Sequence, residues 1–332
     1  MKKRIFRLFC VCIMSGAVSV ALTSCENKEV EFDDFEYQTV YFAKQTPVRT
    51  IVLGDDIYDR TLDNEHRFQV YATLAGVWKN RETRTIQVAV DNTLCNGLSF
   101  DNGEPVEALP ASYYQLQGNT ITFKEGEVQG CVDVQLTDAF FNDPKSLTLN
   151  YVLPLRIVSA KDSLLEGKDY TLYAVNYINK YDGCWISHGT DQINLNGQTF
   201  TLLREAEYLE KNELRYLTSR SLTSCNYELQ TEVEADGTIK VLKANLILSF
   251  DGSDNCTITT DTPDCVVSGS GKWERLGAKQ AWGGKDRDQL TLNYTLTYNY
   301  TDGEQACYKT YQSNDILVMR DRQSKLETFT VK

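Results

Sequence analysis

The chain has 332 residues, of which 42% are hydrophobic and 24% are charged, and its formal net charge is −12 at pH 7. This length and apolar content are sufficient for two domain cores. The acidic balance and the lack of any Lys and Arg cluster argue against nucleic acid as a partner, because phosphates favour basic side chains. They argue equally against binding to an anionic membrane surface.

The first 24 residues have the three parts of a secretory signal peptide. Four basic residues lie within the first seven positions, and an apolar run extends from Leu8 to Leu22 before the small residues Thr23 and Ser24. The run is too short to span a bilayer in the mature protein. We therefore predict that residues 1–24 are a signal that is removed.

Cys25 completes the motif Leu-Thr-Ser-Cys, which resembles the lipobox of bacterial lipoproteins. We predict that Cys25 carries the lipid anchor, since more than one acyl chain gives stable attachment to a membrane. The alternative is an ordinary secretory signal with a coincidental cysteine. Residues 25–35 are rich in Asp and Glu and are predicted to form a solvated tether, which also resembles the surface-export signal of Bacteroidetes lipoproteins. The predicted localisation is the outer membrane, lipid-anchored and exposed at the cell surface.

From residue 36 onward, apolar and polar residues alternate in short runs. In TRTIQVAVD, Ile86, Val88 and Val90 share one predicted face, and LKANLILSF and DQLTLNYTLTYNY repeat the pattern. Such alternation is typical of half-buried antiparallel strands. Turn signals that contain glycine separate the runs, as at residues 101–103 and 235–237. The sequence therefore predicts an all-β protein of sandwiches or barrels rather than a parallel sheet with helices.

A domain boundary is predicted where the strand-like segment YTLYAVNYI ends and Asp182-Gly183 breaks the chain. Residues 36–178 form the first predicted domain and residues 179–332 the second, each near the common domain size. Helical signals are few. AFFNDPKSL predicts one short turn, and the first half of REAEYLEKNELRYL is interpreted as a loop or an edge strand.

Seven cysteines follow Cys25, and this odd number leaves at least one free thiol. No CxxC pair occurs and only two histidines are present, so no metal and no cofactor are predicted. Cys95 and Cys131 are the cysteines of the first predicted domain, and Cys256 and Cys265 flank the hairpin-like segment TITTDTPD. We predict that each pair either forms a disulfide or remains as buried thiols.

No catalytic arrangement is recognisable, and the chain is predicted not to be an enzyme. The 46 Asp and Glu residues make any chosen carboxylate pair uninformative. Neither His66 nor His188 lies in a nucleophile motif, so both are interpreted as surface or structural residues. The segment SGSGKW lacks the spacing of a phosphate-binding loop and is interpreted as a strand with a bend.

The candidate ligand contacts are tryptophans. A sugar ring presents an apolar face that packs on indole, while its hydroxyls require amide and carboxylate partners. Trp78 lies between two predicted strands, and Trp282 lies in a turn-rich segment with charged neighbours. We predict that both contact ligand, with simple packing as the alternative for each. Trp185 and Trp273 are embedded in strands and are predicted to be buried.

Two longer segments resemble a known family. LPASYYQLQGNTITFKEGEVQGCVDVQLTD, followed by NYVLPLRIVSA, resembles the N-terminal immunoglobulin-like domain of Bacteroidetes surface lipoproteins of glycan-utilisation loci. VSGSGKWERLGAKQAWGGKDRDQLTLNYTLTY resembles the C-terminal β-domain paired with it, which is similar to a lipocalin-type barrel. The resemblance implies an immunoglobulin-like β-sandwich followed by an antiparallel β-barrel or sandwich. It also implies an accessory of glycan capture, with other glycan-uptake proteins as partners, but it carries over no binding residue.

Three classes of function follow. A non-catalytic lipoprotein that binds an oligosaccharide or polysaccharide accounts for the anchor, the acidic body and the tryptophans together. The alternatives are a lipocalin-like barrel that holds a lipid or other apolar ligand, and an adhesion or scaffold protein. An empty apolar cavity in the second domain would favour a lipid, whereas a filled core with aromatic residues outside it would favour a glycan.

Overall fold

The computed structural model describes residues 33–35, 37–324 and 327–332, and this part of the chain is all-β as predicted. The signal peptide, Cys25 and most of the acidic tether lie outside the described residues. No helix in the described ranges is both long and apolar enough to cross a membrane.

The helices of the described chain are single turns between strands. They are α1 (Thr61–Asn64), α2 (Asp138–Phe141) and the 3-10 turns Asn92–Cys95, Ala111–Tyr113, Pro144–Leu147, Leu209–Lys211 and Trp282–Gly284. The turn predicted in AFFNDPKSL is confirmed by α2, whose Phe140 and Phe141 are both buried. The first half of REAEYLEKNELRYL is mainly loop, also as predicted.

The N-terminal region, residues 39–178, contains two sheets. Its strands are β1 (Thr39–Tyr41), β2 (Pro47–Val52), β3 (Arg67–Ala75), β4 (Arg84–Val90), β5 (Glu107–Ala108), β6 (Tyr114–Leu116), β7 (Thr120–Phe123), β8 (Gln129–Leu136), β9 (Tyr151–Ala160), β10 (Ser163–Leu164) and β11 (Tyr170–Ile178). One sheet has the order β10-β1-β3-β8-β6. The other has the order β2-β11-β9-β4-β7, with β5 beside β9. The pairs β1–β10, β2–β11 and β5–β9 are parallel, so both sheets are mixed.

The two sheets enclose one core because their strands alternate between inward and outward residues. β8 places Val132 and Val134 inward from one sheet, and β7 places Ile121 and Phe123 inward from the other. All four belong to the same cluster of buried side chains. The predicted β-sandwich is confirmed.

The C-terminal region is one antiparallel sheet that closes into a ring. Its strands are β12 (Gly183–Leu195), β13 (Gln198–Arg204), β14 (Glu213–Ser221), β15 (Ser224–Ala235), β16 (Thr238–Phe250), β17 (Asn255–Thr260), β18 (Cys265–Ala278), β19 (Arg287–Asp302) and β20 (Gln305–Asp321). The order is β13-β12-β14-β15-β16-β17-β18-β19-β20, and β20 pairs again with β12. The predicted barrel is confirmed.

Side chains fill one end of the barrel. Leu290 and Leu292 of β19 point inward, as their alternation predicts, and pack with Trp185, which is fully buried, and Trp273, which is 7% exposed. Both tryptophans are therefore core residues, as predicted. The segment SGSGKW lies within β18, where a Cβ on Gly269 would be 2.4 Å from the Cβ of Tyr294. Glycine is needed there because β18 and the side chains of β19 approach closely.

The C-terminal residues differ from the predicted domain division, because they return to the sandwich. β21 (Glu327–Thr328) pairs with β2 at the edge of the second N-terminal sheet. Phe329 is buried against Phe100, with 5.3 Å between the ring centroids. The apolar residues of this segment thus complete a small cluster of the sandwich, and the second domain does not extend to residue 332.

A buried arginine joins the two domains. Arg322 is 3% exposed, and its guanidinium donates hydrogen bonds to the carbonyl oxygens of Asp182 and Leu53. Burial lowers the pKa of Arg322, and burial raises the pKa of Asp182 and Asp288, whose charges lie near it. Since Leu53 follows β2 and Asp182 precedes β12, this side chain fixes the sandwich against the barrel.

Of the two alternatives predicted for each cysteine pair, the disulfide is not formed: all seven described cysteines are free thiols, with Cys95 and Cys256 buried and Cys131 and Cys265 half-buried. Cys95 is buried in the small cluster of the sandwich, whereas Cys131 is an outward residue of β8. Cys256 lies opposite Gly271 in the pairing of β17 with β18. Cys265 is farther along β18 by about 20 Å at the usual strand rise of about 3.3 Å per residue. Neither pair meets the geometry of a disulfide.

Candidate functional site

A slit opens in the barrel wall between β14 and β15. β14 pairs with β15 only from Leu217, opposite Tyr227, to the end of the hairpin, and its earlier residues pair with β12. β13 occupies the rest of the same edge of β12, and residues 205–212 form an excursion between β13 and β14. Within the described residues, β15 beyond Tyr227 therefore pairs with β16 alone. The wall is incomplete on this side.

The slit has a volume of about 640 Å³ and mainly polar walls. Its polar residues are Glu213, Arg215, Tyr216, Thr218, Asn226, Glu228, Gln230, Lys243, Asn245 and Thr262. In the part of the chain that the structure describes, two buried atoms here have no hydrogen-bond partner, Arg215 Nε and Asn245 Oδ1. An unsatisfied buried polar group costs about 1–3 kcal/mol, so rotation of either side chain toward the slit is favoured when a polar ligand or water there can satisfy it.

A cavity of about 170 Å³ lies behind the slit, inside the barrel. Arg215, Leu229 and Gln230 line both spaces, so the slit and the cavity lie next to each other. Three tyrosines also line the cavity: Tyr294, Tyr298 and Tyr311. The interior is therefore an apolar core at one end and a polar chamber at the other.

An ion cluster forms part of the cavity wall. Arg204 Nε donates to Asp191 Oδ2 at 2.7 Å, and the same guanidinium forms an ion pair with Asp315. Ser313 donates to Asp191 Oδ1 at 2.6 Å, and Tyr294 donates to Asp315 Oδ2 at 2.9 Å. Burial alone would lower the pKa of Arg204, but hydrogen bonds and the two carboxylate charges raise it overall. The cluster is held by several mutually oriented hydrogen bonds.

The tyrosine hydroxyls of the barrel interior are kept protonated. Burial raises the pKa of Tyr227, Tyr294 and Tyr298 above the usual value for tyrosine, and the nearby charge of Asp315 adds to the effect at Tyr227 and Tyr294. These side chains are therefore neutral at physiological pH. The cavity and slit together present hydroxyl, amide, carboxylate and guanidinium groups, which suits a hydroxylated ligand.

The two tryptophans predicted to contact ligand lie elsewhere. Trp78 is 55% exposed in the loop between β3 and β4, where its backbone N–H donates to Asp34 Oδ1 at 2.6 Å. Trp282 is half-buried in its 3-10 turn, and the guanidinium carbon of Arg320 lies 5.5 Å from its ring centroid. Neither residue lines the slit or the cavity. Ligand contact by Trp78 and Trp282 stays a prediction.

The histidines lie apart from the slit and from each other. His66 packs against Phe141 with 4.1 Å between the ring centroids and 36° between the ring planes, and burial lowers the pKa of His66. His188 lies on β12 opposite Ile316. Among the described residues, no group of three or more His, Cys, Asp or Glu side chains is arranged to hold a metal ion.

The residues of the slit and the ion cluster were not singled out from the sequence. Tyr294 and Tyr298 alternate with polar residues in DQLTLNYTLTYNY, but nothing in the alternation distinguishes a cavity wall from a packed core. One signal was available in Asp191 and Asp315. Each is a charged residue at an inward position of a long strand, and buried charges require partners.

Comparison with known proteins places the chain in a family. Residues 180–323 match a family model described as a domain of unknown function, DUF5627, and residues 35–164 match a model described as an N-terminal domain. A structure of a protein of unknown function from Bacteroides ovatus is 34% identical, covering 90% of this chain and 99% of that chain with a TM-score of 0.81. This chain belongs to the family of that Bacteroides protein, in which the N-terminal domain is combined with DUF5627.

Other solved structures are more distant. An auxiliary nutrient-binding protein from Bacteroides thetaiotaomicron is 15% identical, covering 84% of this chain and 95% of that chain with a TM-score of 0.42. A putative carbohydrate-binding protein from Bacteroides ovatus is 12% identical, covering 89% of this chain and 97% of that chain with a TM-score of 0.29. Both TM-scores are below 0.5, so these two structures indicate no property of this chain. Among curated proteins, none matches it.

Proposed function

We propose that this protein is a non-catalytic glycan-binding protein of the cell surface, and that the slit and the cavity behind it bind an oligosaccharide. The observation that carries the proposal is the polar lining of the slit, where Arg215 Nε and Asn245 Oδ1 are buried without a hydrogen-bond partner among the described residues. Sugar hydroxyls both donate and accept hydrogen bonds, so a sugar in the slit can satisfy either group once its side chain turns toward the ligand.

The barrel interior supports a sugar over an apolar ligand. A lipid would require an empty apolar cavity, but the apolar end of the barrel is filled by side chains such as Trp185 and Leu246. The remaining space is bordered by the ion cluster of Arg204, Asp191 and Asp315. Placing an acyl chain against these charges would gain little, because their hydration cannot be replaced by hydrocarbon. An adhesion or scaffold role would not require the polar chamber.

Binding by the slit is tested with two variants, Gln230→Ala and Asn245→Ala, on the purified full chain. A glycan array identifies an oligosaccharide ligand, and calorimetry then measures its affinity, which we expect to be micromolar to millimolar. Each variant should weaken binding by about fivefold to tenfold, since each removes a hydrogen-bonding side chain worth about 1 kcal/mol. Gln289→Ala, a similar change on the outward face of β19, should bind like the parent chain.

The same measurement includes Trp78→Ala and Trp282→Ala, because a stacked indole would contribute about 1–1.5 kcal/mol. If these variants lose affinity while the two slit variants do not, the oligosaccharide binds at the tryptophans and our choice of site is wrong. A chain that binds no glycan but extracts a fatty acid or sterol would replace glycan binding with the lipid alternative.

Surface attachment through Cys25 is part of the proposal, motivated by the Leu-Thr-Ser-Cys motif after a short apolar run. Mass spectrometry of the membrane fraction should detect acyl chains on Cys25 as the first residue of the mature chain. The Cys25→Ala variant should be found in the soluble fraction, since the acyl chains supply the membrane affinity. A Cys25→Ala protein that still partitions into membranes would defeat this idea.

A further inference from the structure

The outer surface of the barrel carries uncharged polar residues in register across several strands. One row runs from Thr201 on β13 through Gln192 on β12, Gln312 on β20 and Thr295 on β19 to Ser268 on β18. Each residue lies directly opposite the next in the strand pairing. None of the five side chains is ionisable.

A second row runs parallel to the first and is displaced from it by two residues on each strand. It runs from Thr199 through Asn194, Thr310 and Thr297 to Val266. We call the two rows together the neutral face. In a chain of which 24% is charged, about two of ten residues would carry a charge, so these ten positions without one distinguish this surface from the rest.

The neutral face is concave at one end. A groove of about 370 Å³ is lined by Gln192, Asn194, Thr199, Thr201, Thr310 and Gln312 of the two rows, together with Ile193 and Phe200. It lies where β13 pairs with β12 beside the ring. This surface is outside the barrel and shares no residue with the slit or the cavity.

Most hydrogen-bonding groups of the groove are available to a ligand. Thr297 and Thr310 bond to each other at 2.9 Å, and Asn194 accepts from the backbone N–H of Gly197 at 2.8 Å. Within the described chain, the side chains of Gln192 and Gln312 make no hydrogen bond, nor do those of Thr199 and Thr201. Each amide and hydroxyl can both donate and accept.

We propose that the neutral face binds an uncharged polysaccharide, which lies in the groove and crosses β13, β12 and β20. Polymer hydroxyls match side chains that both donate and accept, and no ionised group has to lose its hydration on contact. An anionic polymer would be repelled by a protein of net charge −12 and would find no cation on this face. A second copy of the chain fits less well, since stable interfaces have apolar and aromatic centres, whereas the two rows and the groove contain only three apolar residues, Ile193, Phe200 and Val266.

This inference rests on the proposed function in that both sites take a glycan, but the two sites use different residues. The test is native electrophoresis of the full chain in gels that contain a neutral β-glucan, a neutral mannan or anionic polygalacturonate. A neutral polymer should retard the chain, and the double variant Gln192→Ala with Gln312→Ala should weaken retention about tenfold. The double variant should have the same melting temperature as the parent, because the side chains of Gln192 and Gln312 are both exposed. Gln289→Ala, on the outward face of β19, should be retained like the parent.

The outcomes separate this site from the slit. If the slit binds an oligosaccharide in calorimetry but no neutral polymer retards the chain, the neutral face is not a glycan site and the proposed function stands. Retention that survives the double variant and is lost in Asn245→Ala assigns polymer binding to the slit and overturns this inference. Retention by polygalacturonate alone also overturns it. A dimer in sedimentation velocity that the double variant abolishes would make the neutral face an interface between copies instead.

Discussion

Replacing Arg204 by alanine is expected to lower the free energy of unfolding by about 3–5 kcal/mol, because Asp191 and Asp315 would stay buried without their cation. Their side chains are 6% and 1% exposed in the native structure. Ser313 and Tyr294 would still donate hydrogen bonds, but neutral donors do not replace a guanidinium between two carboxylates. Urea unfolding followed by tryptophan fluorescence measures the loss.

The matched control is Arg220→Ala in the same domain. Arg220 pairs with Asp261 at 3.1 Å, but the two side chains are 44% and 53% exposed, so the loss should be below about 1 kcal/mol. Arg204→Met combined with Asp191→Asn and Asp315→Asn should recover part of the stability, since no charge then stays buried unpaired. Equal losses for Arg204→Ala and Arg220→Ala would mean that the buried cluster does not stabilise the barrel.

Replacing Arg322 by alanine is expected to lower the free energy of unfolding by a similar amount, about 3–5 kcal/mol, because Arg322 lies at the joint between the domains. The change removes the donors to the carbonyl oxygens of Leu53 and Asp182 and the cation beside Asp182 and Asp288. Thermal unfolding of the full chain by calorimetry is the measurement. If one domain of the variant unfolds in a separate transition at a lower temperature, Arg322 couples the unfolding of the two domains in the parent chain.

The stability that Arg322→Ala loses should depend on pH. The native pKa values of Asp182 and Asp288 are raised, chiefly by burial, so their contribution to stability is fully present below the unfolded pKa of about 3.9 and is lost as pH rises through the native pKa. Arg322 opposes this loss by lowering both pKa values. The variant should therefore be weakened more at pH 7 than at pH 4.

Arg275→Ala is the control for the joint, since Arg275 also forms an ion pair across it. Arg275 Nε lies 2.5 Å from Asp55 Oδ2, but the side chains are 65% and 42% exposed. We expect a loss below about 1 kcal/mol, reduced further by salt. An Arg322→Ala loss that is as small as this, or that does not change with pH, would contradict the role given to Arg322.

Alternation was sufficient to predict the fold class. A period of two is set by the backbone of a strand, so the inward positions of β8 and β19 could be read without knowing their partners. The return of Phe329 to the sandwich could not be predicted in this way. A two-residue strand such as β21 has no period, and its place depends on the pairing edge of β2 and the ring of Phe100.

The candidate site was less accessible from the sequence because it depends on where strands do not pair. The slit exists because residues 205–212 interrupt the edge that β13 and β14 share along β12, and no local pattern specifies that gap. The partners of Arg204 lie on two other strands, at Asp191 and Asp315, so their contact is set by the barrel closure. The disulfide alternative fails for a related reason: Cys256 and Cys265 are near in sequence, but strand register separates them.

The return of β21 to the sandwich affects how the chain can fold during synthesis. The sandwich begins to leave the ribosome first, but its edge strand and Phe329 follow the whole barrel in the sequence. Until the barrel has been made, the edge of β2 lacks a neighbour and Phe100 lacks the ring that packs on it. A fragment that ends at Ile178 would therefore expose an unpaired strand edge beside an apolar surface, which is a site for association with other chains.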